Sequence, residues 1–215
     1  MLCPFTNKPR WERRKEARPQ ELLAAALDLF VERGFAVTRL EDVAKRAGVS
    51  KGTLYLYFAN KEELFKAVVR ENMLPVLGEA ETMIDTFEGN SIDLFRDIML
   101  GWWERVGETT LSGITKLILA ESGNFPELAK FYYDEVISRG NAMIGRLLQR
   151  GVERGEFREL DIPLLTKVIA APVIMLMMWK HSFGACQIDE ITPKDYLDSF
   201  IDLCLRGLLS DKGRT

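Results

Sequence analysis

Hydrophobic residues recur at helical spacing along almost the whole chain. In the first clear segment, Leu22, Ala26, Leu29 and Phe30 follow one another at intervals that place them on one face of a helix. Alternation of apolar and polar residues between turn residues, which is typical of half-buried strands, is missing. The pattern predicts an all-α protein of about nine helices.

Capping and helix-ending residues predict where the first helices begin and end. Pro19 suits the first turn of a helix, since its missing N–H costs little there, and Gly34 suits the end of that helix. Thr38 followed by Glu41 has the spacing of a capping box that opens a second helix. Gly48 then closes the second helix. These signals predict two helices before position 50.

The same signals predict the remaining helices. Ser50 begins a short third helix that ends near Phe58. Asn60 and Glu63 repeat the capping-box spacing and open a longer fourth helix. Glycine and proline positions divide the rest of the chain. Further helices are predicted near residues 76–87, 91–110, 112–122, 126–152, 163–183 and 193–210.

The stretch from residue 38 to residue 61, TRLEDVAKRAGVSKGTLYLYFANK, joins two short helices by a tight turn. Ala44 and Ala47 are small enough to let the two helices approach closely. Gly48 can adopt the left-handed backbone conformation that turns the chain. The stretch therefore predicts a helix-turn-helix.

The third helix separates its apolar side chains from its polar ones. Leu54 and Phe58 lie four residues apart and face inward. The outward side chains are hydrogen-bond donors with the reach that a phosphate or a base edge requires. These outward residues are Lys51, Thr53, Tyr55 and Tyr57.

Two further positions and the charge distribution favour contact with a polyanion. Gly52 leaves the start of the third helix without a side chain, so that the backbone can come close to DNA. Lys61 lies at the N-terminus of the fourth helix, where its charge and the unpaired N–H groups both favour a phosphate. Residues 1–70 carry 14 Lys and Arg against 9 Asp and Glu, whereas the rest of the chain carries 15 against 23. A basic end on an acidic body favours contact of this end alone with a polyanion, the alternative being a chance fluctuation of charge along the chain.

Several elements of this region, in order and at the right spacing, resemble the DNA-binding domain of the TetR family of repressors. They are the segments LFVERGF, EDVAKRAGVSKGTLYLYF and NKEELF, within residues 18–70. The later segment ILAESGNFPELAKFYYDEV is similar to the ligand domain of one TetR branch. The basic residues near the start predict a flexible arm (1–18). The resemblance implies an N-terminal three-helix DNA-binding domain (19–65) and a larger helical ligand-binding and dimerisation domain (66–210), followed by a tail (211–215).

The resemblance also implies which residues meet double-stranded operator DNA. Tyr57 stands where the family commonly has histidine, a departure that changes base preference or exchanges one phosphate contact for another. Alternatively, the two tyrosines pack between helices and the lysines are solvated charges. The basic arm either follows the minor groove or is an unstructured start. The predicted DNA-binding residues are Thr38, Arg39, Ser50, Lys51, Gly52, Thr53, Tyr55, Tyr57 and Lys61.

The last two predicted helices are apolar over wide arcs. A helix that is apolar nearly all round is buried, either in the core of its own chain or against a partner. In the TetR family the last two helices usually form a four-helix dimer interface, which implies a homodimer that reads two half-sites. The alternative is that both helices belong only to the monomer core. The predicted interface residues are Leu165, Ile169, Leu176, Leu197, Phe200, Ile201, Cys204 and Leu208.

Large apolar side chains are frequent between the helix-turn-helix and the last helices. Flexible methionines and flat aromatic rings can line an adaptable pocket, although they are also ordinary core residues. As a set they predict a pocket for an apolar or aromatic small molecule. The predicted pocket residues are Phe95, Met99, Trp102, Trp103, Phe125, Tyr132, Met143, Met175, Met178 and Trp179.

The sequence offers little for enzyme chemistry. The three cysteines are widely separated and there is a single histidine, so neither a metal-ligand spacing nor a nucleophile–base pair is found. We therefore predict no enzymatic activity, no metal and no cofactor. The N-terminus lacks the apolar run of a secretory signal, and the apolar stretch from Pro163 to Trp179 is shorter than the roughly 20 residues of a membrane span. The expected protein is cytoplasmic, with no membrane partner.

These observations lead to one functional hypothesis and one alternative. The hypothesis is a DNA-binding transcriptional regulator, a repressor that leaves its operator when an unknown small-molecule effector binds its C-terminal domain. The alternative is a ligand-independent architectural DNA-binding protein of the same fold. A C-terminal half without a cavity would favour the alternative.

Overall fold

The computed structural model describes residues 10–186 and 191–210, with side chains from residue 19 onward. Every regular element in these ranges is helical. The α-helices are α1 (Arg10–Arg33), α2 (Leu40–Arg46), α3 (Lys51–Tyr55), α4 (Lys61–Asn72), α5 (Leu74–Thr86), α6 (Ser91–Trp102), α7 (Ser112–Glu121), α8 (Pro126–Tyr132), α9 (Ser138–Glu153), α10 (Ile162–Ser182) and α11 (Pro193–Leu208). Two π-helical turns are π1 (Trp103–Gly107) and π2 (Tyr133–Ile137), and a short 3₁₀ turn covers Gly184–Cys186.

The all-α prediction of about nine helices is confirmed for the described ranges. The helices α4 and α5 are separated by Met73 alone, and π2 joins α8 to α9 without a break. When each of these two pairs is counted once, the described ranges hold nine helical rods.

The first helix begins earlier than its sequence signals predicted. The flexible arm is wrong for residues 10–18, because α1 begins at Arg10 and Pro19 lies inside it. Residues 12–17 are Glu, Arg, Lys and Ala, which are strong helix formers and continue the helix upstream of the proline. Residues 1–9 of the arm and the tail at 211–215 lie outside the described residues.

The connection between α1 and α2 also differs from the prediction. Thr38 is buried, and its hydroxyl donates to the carbonyl oxygens of Leu29 (3.2 Å) and Gly34 (2.7 Å). The residue at the N-cap of α2 is Arg39, whose side chain makes no capping hydrogen bond. The predicted capping box at Thr38 is therefore wrong, because the hydroxyl ties the end of α1 to the loop.

The first compact unit ends at Val68 and has an aromatic core. Phe30, Phe35 and Phe65 are buried, with ring centroids 5.5, 5.6 and 5.7 Å apart in pairs. Such contacts add about 0.5–1.5 kcal/mol per pair beyond the burial of their area. This cluster joins α1, the loop that follows it and α4.

The second compact unit begins at Val69, so that the division falls inside α4. Within this unit α9 packs against α5, α6 and α10, and α10 packs against α7 and α11. Leu94, Phe95, Ile114, Leu147 and Leu197 are fully buried among these helices. The unit therefore has a core of its own.

The helix α10 agrees with its predicted range of 163–183 to within one residue at each end. Asp161 caps it and Pro172 lies inside it, so that it runs for 21 residues. By length and composition it is the one helix of the described ranges that could cross a membrane, although only 22% of its most apolar window is buried. In the protein it packs along α7 and α9. Its apolar character thus exceeds what this core requires.

Candidate DNA-binding surface and ligand cavity

The connection between α2 and α3 is a tight turn built on Gly48. Its φ of +68° lies in the left-handed region that side chains with a Cβ rarely adopt. The N–H of Val49 donates to the carbonyl of Ala44 at 2.9 Å and closes the end of α2. Ser50 caps α3, since its hydroxyl accepts a hydrogen bond from the N–H of Thr53 at 3.1 Å. The α2 and α3 helices form the predicted helix-turn-helix.

One side of α3 is exposed to solvent. Tyr55 and Tyr57 are 44% and 36% exposed, whereas Leu54 is fully buried beneath them. The two tyrosine rings are therefore not sealed inside the protein, against the alternative in which they pack between helices. The predicted residues on the exposed surface are Arg39, Ser50, Lys51, Gly52, Tyr55 and Tyr57, while Thr53 is half-buried. The predicted DNA-binding residue Thr38 is buried and does not belong to this surface.

Leu56 is a surface residue that the sequence reasoning missed. It follows the last residue of α3 and is 83% exposed. Its distance of two positions from both Leu54 and Phe58 is the signal that could have placed it on the opposite face of the helix. An exposed aliphatic side chain can contact the methyl group of thymine in the major groove.

An ion pair between Lys51 of α3 and Glu41 of α2 links the two helices. The hydrogen bond to Glu41 raises the pKa of Lys51, and the same contact lowers the pKa of Glu41. Both side chains are at least half exposed, so that solvent screens the attraction between them. A phosphate can therefore replace the carboxylate without leaving a buried charge.

Lys61 has a structural contact that the sequence did not reveal. Its ammonium group donates to the carbonyl oxygens of Phe35 (2.6 Å) and Ala36 (3.0 Å) and lies 4.5 Å from the centre of the Phe35 ring. The first residue of α4 is thus fastened to the loop that follows α1. The predicted phosphate contact of Lys61 stays a prediction.

The second unit contains a cavity of about 170 Å³ with an almost wholly apolar wall. None of the residues that line it is charged. Its mouth is marked by Leu119, Ile137 and Ile174, which are 52%, 37% and 37% exposed. A cavity of about this volume holds a ring-sized apolar group, and a longer ligand would have to extend through the mouth. The wall is formed by residues of α5, α6, α7, α8, π2, α9 and α10, among them Leu77, Ile98, Ile118, Val136, Ile144 and Val173.

Only part of the predicted pocket set lines this cavity. Met99, Trp102, Tyr132 and Met143 do so. Phe95 is a fully buried core residue, and neither Phe125 nor Met178 lines the cavity. These three residues therefore lie outside this cavity, as do three more that line a separate groove, because helical spacing does not reveal which neighbour a side chain faces. The three residues in the separate groove are Trp103, Met175 and Trp179.

A short chain of polar atoms belongs to the cavity wall. The hydroxyl groups of Thr115 and Tyr132 lie 3.2 Å apart, and the Tyr132 hydroxyl also donates to the sulfur of Met73 at 3.7 Å. Burial raises the pKa of Tyr132 to about 12. The phenol is therefore a neutral hydrogen-bond donor throughout the physiological range.

A row of exposed apolar side chains runs along α10 and α11. Because a monomer rarely exposes a long apolar row, such a face indicates a partner. The predicted residues Ile169, Leu197, Ile201 and Leu208 point the other way and are buried in the core of the unit, so they are wrong as interface residues. Leu165, Leu176, Phe200 and Cys204 are half-buried. The most exposed side chains of the row are Leu164, Val168, Met175, Trp179 and Leu203.

Two family models match this chain. The model "Bacterial regulatory proteins, tetR family" covers residues 22–68, and the model "Tetracyclin repressor-like, C-terminal domain" covers residues 95–193. The chain belongs to the TetR family. Membership makes it a DNA-binding transcriptional regulator, and the first match coincides with the helix-turn-helix described above.

Similar TetR-family regulators extend over most of the chain. It is 23% identical over 199 residues to the HTH-type transcriptional repressor KstR2 of Mycolicibacterium smegmatis, covering 92% of this chain and 93% of the relative. It is 28% identical over 158 residues to the fatty acid metabolism regulator protein of Bacillus subtilis, covering 72% and 80%. The crystal structure of the regulator FadR from Bacillus subtilis with stearoyl-CoA shares the fold, with a TM-score of 0.72, 24% identity and coverage of 87% of this chain and 98% of that chain.

Proposed function

We propose that this TetR-family regulator is a homodimeric repressor that leaves its operator when a small apolar or aromatic effector enters the cavity of the second unit. The observation that carries the proposal is the apolar cavity, because a ligand-independent DNA-binding protein has no need of one. Two further features support it: the exposed surface of α3 and the apolar row on α10 and α11.

The α3 surface offers different contacts for phosphates and for bases. Lys51 is the cation best placed for a phosphate, since its present partner Glu41 is at the surface. Tyr55 and Tyr57 supply hydroxyl groups, and Leu56 supplies an apolar contact. Phosphate contacts fix the position of the protein, while base contacts carry the sequence preference. We assign Lys51 to the first role and the residues at 55–57 to the second.

The apolar row on α10 and α11 is the proposed dimer interface. Two copies that bury this face against each other form a two-fold symmetric dimer, in which the same surface of each subunit contacts the other. A two-fold regulator reads a pseudo-palindromic operator whose half-sites lie about 34–36 Å apart, or a multiple of that distance. The dimer thus joins two copies of the α3 surface into one operator-binding unit.

The names of relatives agree with an apolar effector. One relative is a fatty acid metabolism regulator, and a fold relative was crystallised with stearoyl-CoA. For release, the effector must bind the conformation that does not fit the operator more tightly than the one that does. We place the protein in the cytoplasm, where its operator is found, and we assign it no catalytic role.

Selection of operator DNA from a random library, followed by a screen for ligands that release it, tests the proposal. Gly140 lines the cavity, and a Cβ at this position would meet no atom within 4 Å. We expect Gly140→Leu to place a side chain in the space that an effector would occupy. The variant should bind the operator as the wild type does and should no longer respond to the effector, as measured by fluorescence anisotropy of labelled operator.

Gly101→Leu is the matched control for this experiment. Gly101 is also a helical glycine with open space at its Cβ position, but it does not line the cavity. The control should respond to the effector as the wild type does. Equal release of Gly140→Leu and the wild type would place the effector elsewhere and contradict the proposal.

A further inference from the structure

The chemistry of the cavity wall limits the ligand more sharply than its volume does. The residues that line it include three with polar side chains, Thr115, Tyr132 and Asn141, and none with a charge. A carboxylate placed in this cavity would have no cation beside it, and an unpaired buried charge is strongly unfavourable. The enclosed part of a ligand is therefore uncharged.

The Tyr132 hydroxyl group has a poor acceptor for its proton. Among the described residues its partners are the hydroxyl of Thr115 at 3.2 Å and the sulfur of Met73 at 3.7 Å. The pair is satisfied when Thr115 donates to Tyr132 and Tyr132 donates to the sulfur. A thioether is a weak hydrogen-bond acceptor. An oxygen acceptor on a ligand can replace the Met73 sulfur, and the protein loses only this weak hydrogen bond.

We propose that Tyr132 selects effectors whose enclosed part is neutral and carries one oxygen acceptor, such as the carbonyl of a ketone, an ester or a thioester. The ligand oxygen replaces the Met73 sulfur as the acceptor of the hydrogen bond that Tyr132 donates, and Thr115 keeps its hydrogen bond to the phenol oxygen. This inference rests on the proposed function, because it specifies the ligand of the same cavity. Charged groups of such an effector stay outside the mouth.

The same change of hydrogen-bond acceptor affects Met73, the residue that follows α4. Met73 is fully buried and is the single residue between α4 and α5. Its sulfur loses the Tyr132 hydrogen bond when a ligand oxygen takes its place. A neutral acceptor in the cavity therefore changes a contact at the junction that follows the DNA-binding unit, whereas a hydrocarbon of the same shape does not.

Three ring compounds of similar shape test the inference: acetophenone, ethylbenzene and benzoate. The measurement uses the full chain with ¹³C-labelled methionine methyl groups, because Met99, Met143 and Met177 line the cavity. We expect acetophenone and ethylbenzene to shift these methyl signals and benzoate to leave them unchanged. This readout does not depend on DNA release.

The decisive comparison is between the affinities of one probe for the wild type and for each variant, because the solubility of that probe in water is the same in both measurements. Tyr132→Phe should weaken acetophenone binding about 3- to 10-fold, the effect of one neutral hydrogen bond, and leave ethylbenzene binding unchanged. Met73→Leu removes the competing acceptor at nearly constant volume and should strengthen acetophenone binding. Tyr133→Phe is the matched control, since Tyr133 is 56% exposed and does not line the cavity.

The outcomes separate this inference from the proposed function. Benzoate binding as tightly as acetophenone, or equal effects of Tyr132→Phe on acetophenone and ethylbenzene, overturns the inference and leaves the cavity a ligand site. If none of the three probes shifts the methyl signals and no ligand in the screen releases the operator, both the inference and the proposed function are overturned. If Tyr132→Phe fails to fold, the opposite effect expected of Met73→Leu still decides the question.

Discussion

Gly48 and Gly52 are four residues apart in the helix-turn-helix and are needed for different reasons. Gly48 has a φ of +68°, so that the backbone itself requires glycine. Gly52 lies in helical backbone, and a Cβ there would come no closer than 3.8 Å to any atom, the hydroxyl oxygen of Ser50. Nothing within the described unit requires a glycine at position 52. Its lack of a side chain is therefore useful to an outside partner, for which we propose the DNA.

Gly52→Ala should separate DNA binding from stability. Alanine is favoured over glycine in a helix by about 1 kcal/mol, so the variant should unfold at the same temperature or a higher one. Operator affinity should fall, because a methyl group blocks the approach of the backbone to the DNA. Thermal unfolding and fluorescence anisotropy measure the two effects.

Gly48→Ala is the control with the opposite pattern. A Cβ at a left-handed position costs about 1–2 kcal/mol, so this variant should lose stability. If Gly52→Ala were to bind the operator as tightly as the wild type does, position 52 would not lie at the DNA.

Lys51→Ala and Lys61→Ala should differ in the same two measurements. Lys51 pairs with a carboxylate at the surface, so that its loss should leave stability unchanged. It should reduce the slope of log affinity against log salt concentration by about one unit. Lys61 satisfies two carbonyl groups near the Phe35 ring, and its loss should lower the free energy of unfolding by about 1–3 kcal/mol.

The salt dependence of Lys61→Ala decides whether this lysine also meets a phosphate. A decrease of about one unit in the logarithmic slope adds a phosphate contact to its structural role. An unchanged slope removes Lys61 from the DNA-binding residues. Unchanged stability would contradict the contact with Phe35 and Ala36.

At the scale of elements, three ion pairs fasten the α4–α5 segment to π2 and α9. Arg70 pairs with Glu135, Glu81 with Arg139, and Asp85 with Arg146. Arg70 also lies 5.0 Å from the centre of the ring of Phe131 in α8. The cavity wall includes Val136 and Ile137, which follow Glu135 directly in π2. A π turn is an irregular segment common at functional sites, and here it carries a cavity wall and an ion pair together.

Glu135→Gln should weaken the link between the cavity and α4. The hydrogen bond from Arg70 lowers the pKa of Glu135, so that the ion pair stabilises the fold above the ordinary carboxyl pKa near 4.5 and is lost as the pH falls through the lowered value. The variant should lose less stability between pH 7 and pH 3 than the wild type does. We also expect the effector concentration for half-release of the operator to differ from that of the wild type, because the ion pair joins α4 to the turn that carries the cavity wall.

Asp134→Asn is the matched control for Glu135→Gln. Asp134 is the preceding residue, but its ion pair with Lys130 stays within the same helical segment. Operator release by the effector should be the same as in the wild type. Identical behaviour of Glu135→Gln and the wild type in release would show that the Arg70 ion pair takes no part in coupling.

At the scale of the whole molecule, the apolar row on α10 and α11 raises the question of assembly. The row lies on a helix that is apolar enough to cross a membrane by composition. Burial of the row in a protein–protein interface accounts for this excess of apolar residues, and no membrane span is needed to explain it. The proposed partner is a second copy of the chain.

Leu203→Glu should produce a monomer with weakened operator binding. Leu203 is 70% exposed on α11, and a carboxylate there would be buried beside apolar groups in the dimer. Loss of the second DNA-binding unit removes an effective-concentration gain of about 10²- to 10⁴-fold in affinity for a two-site operator. Light scattering and anisotropy measure the two effects.

Met83→Glu is the control for the interface variant. Met83 is 37% exposed and belongs to α5, not to the row on α10 and α11. The substitution should leave both the mass and the operator affinity unchanged. A Leu203→Glu protein that remains dimeric at micromolar concentration would place the interface elsewhere or exclude it.

The sequence by itself determined the helices and the helix-turn-helix of this protein, because both depend on residues close together in the chain. Helical spacing, Gly48 and the Ser50 cap all act over a few positions, and the order of motifs placed the chain in the TetR family. Only the tertiary structure decided which of the large apolar residues enclose the cavity and which face outward. Met99 and Phe95 are four residues apart on α6, yet only Met99 lines the cavity. On α11 the core takes Leu197, Ile201 and Leu208 and leaves Leu203 outside. The reason is physical: an apolar side chain is buried equally well by any neighbour, so hydrophobicity predicts burial but not the partner that provides it.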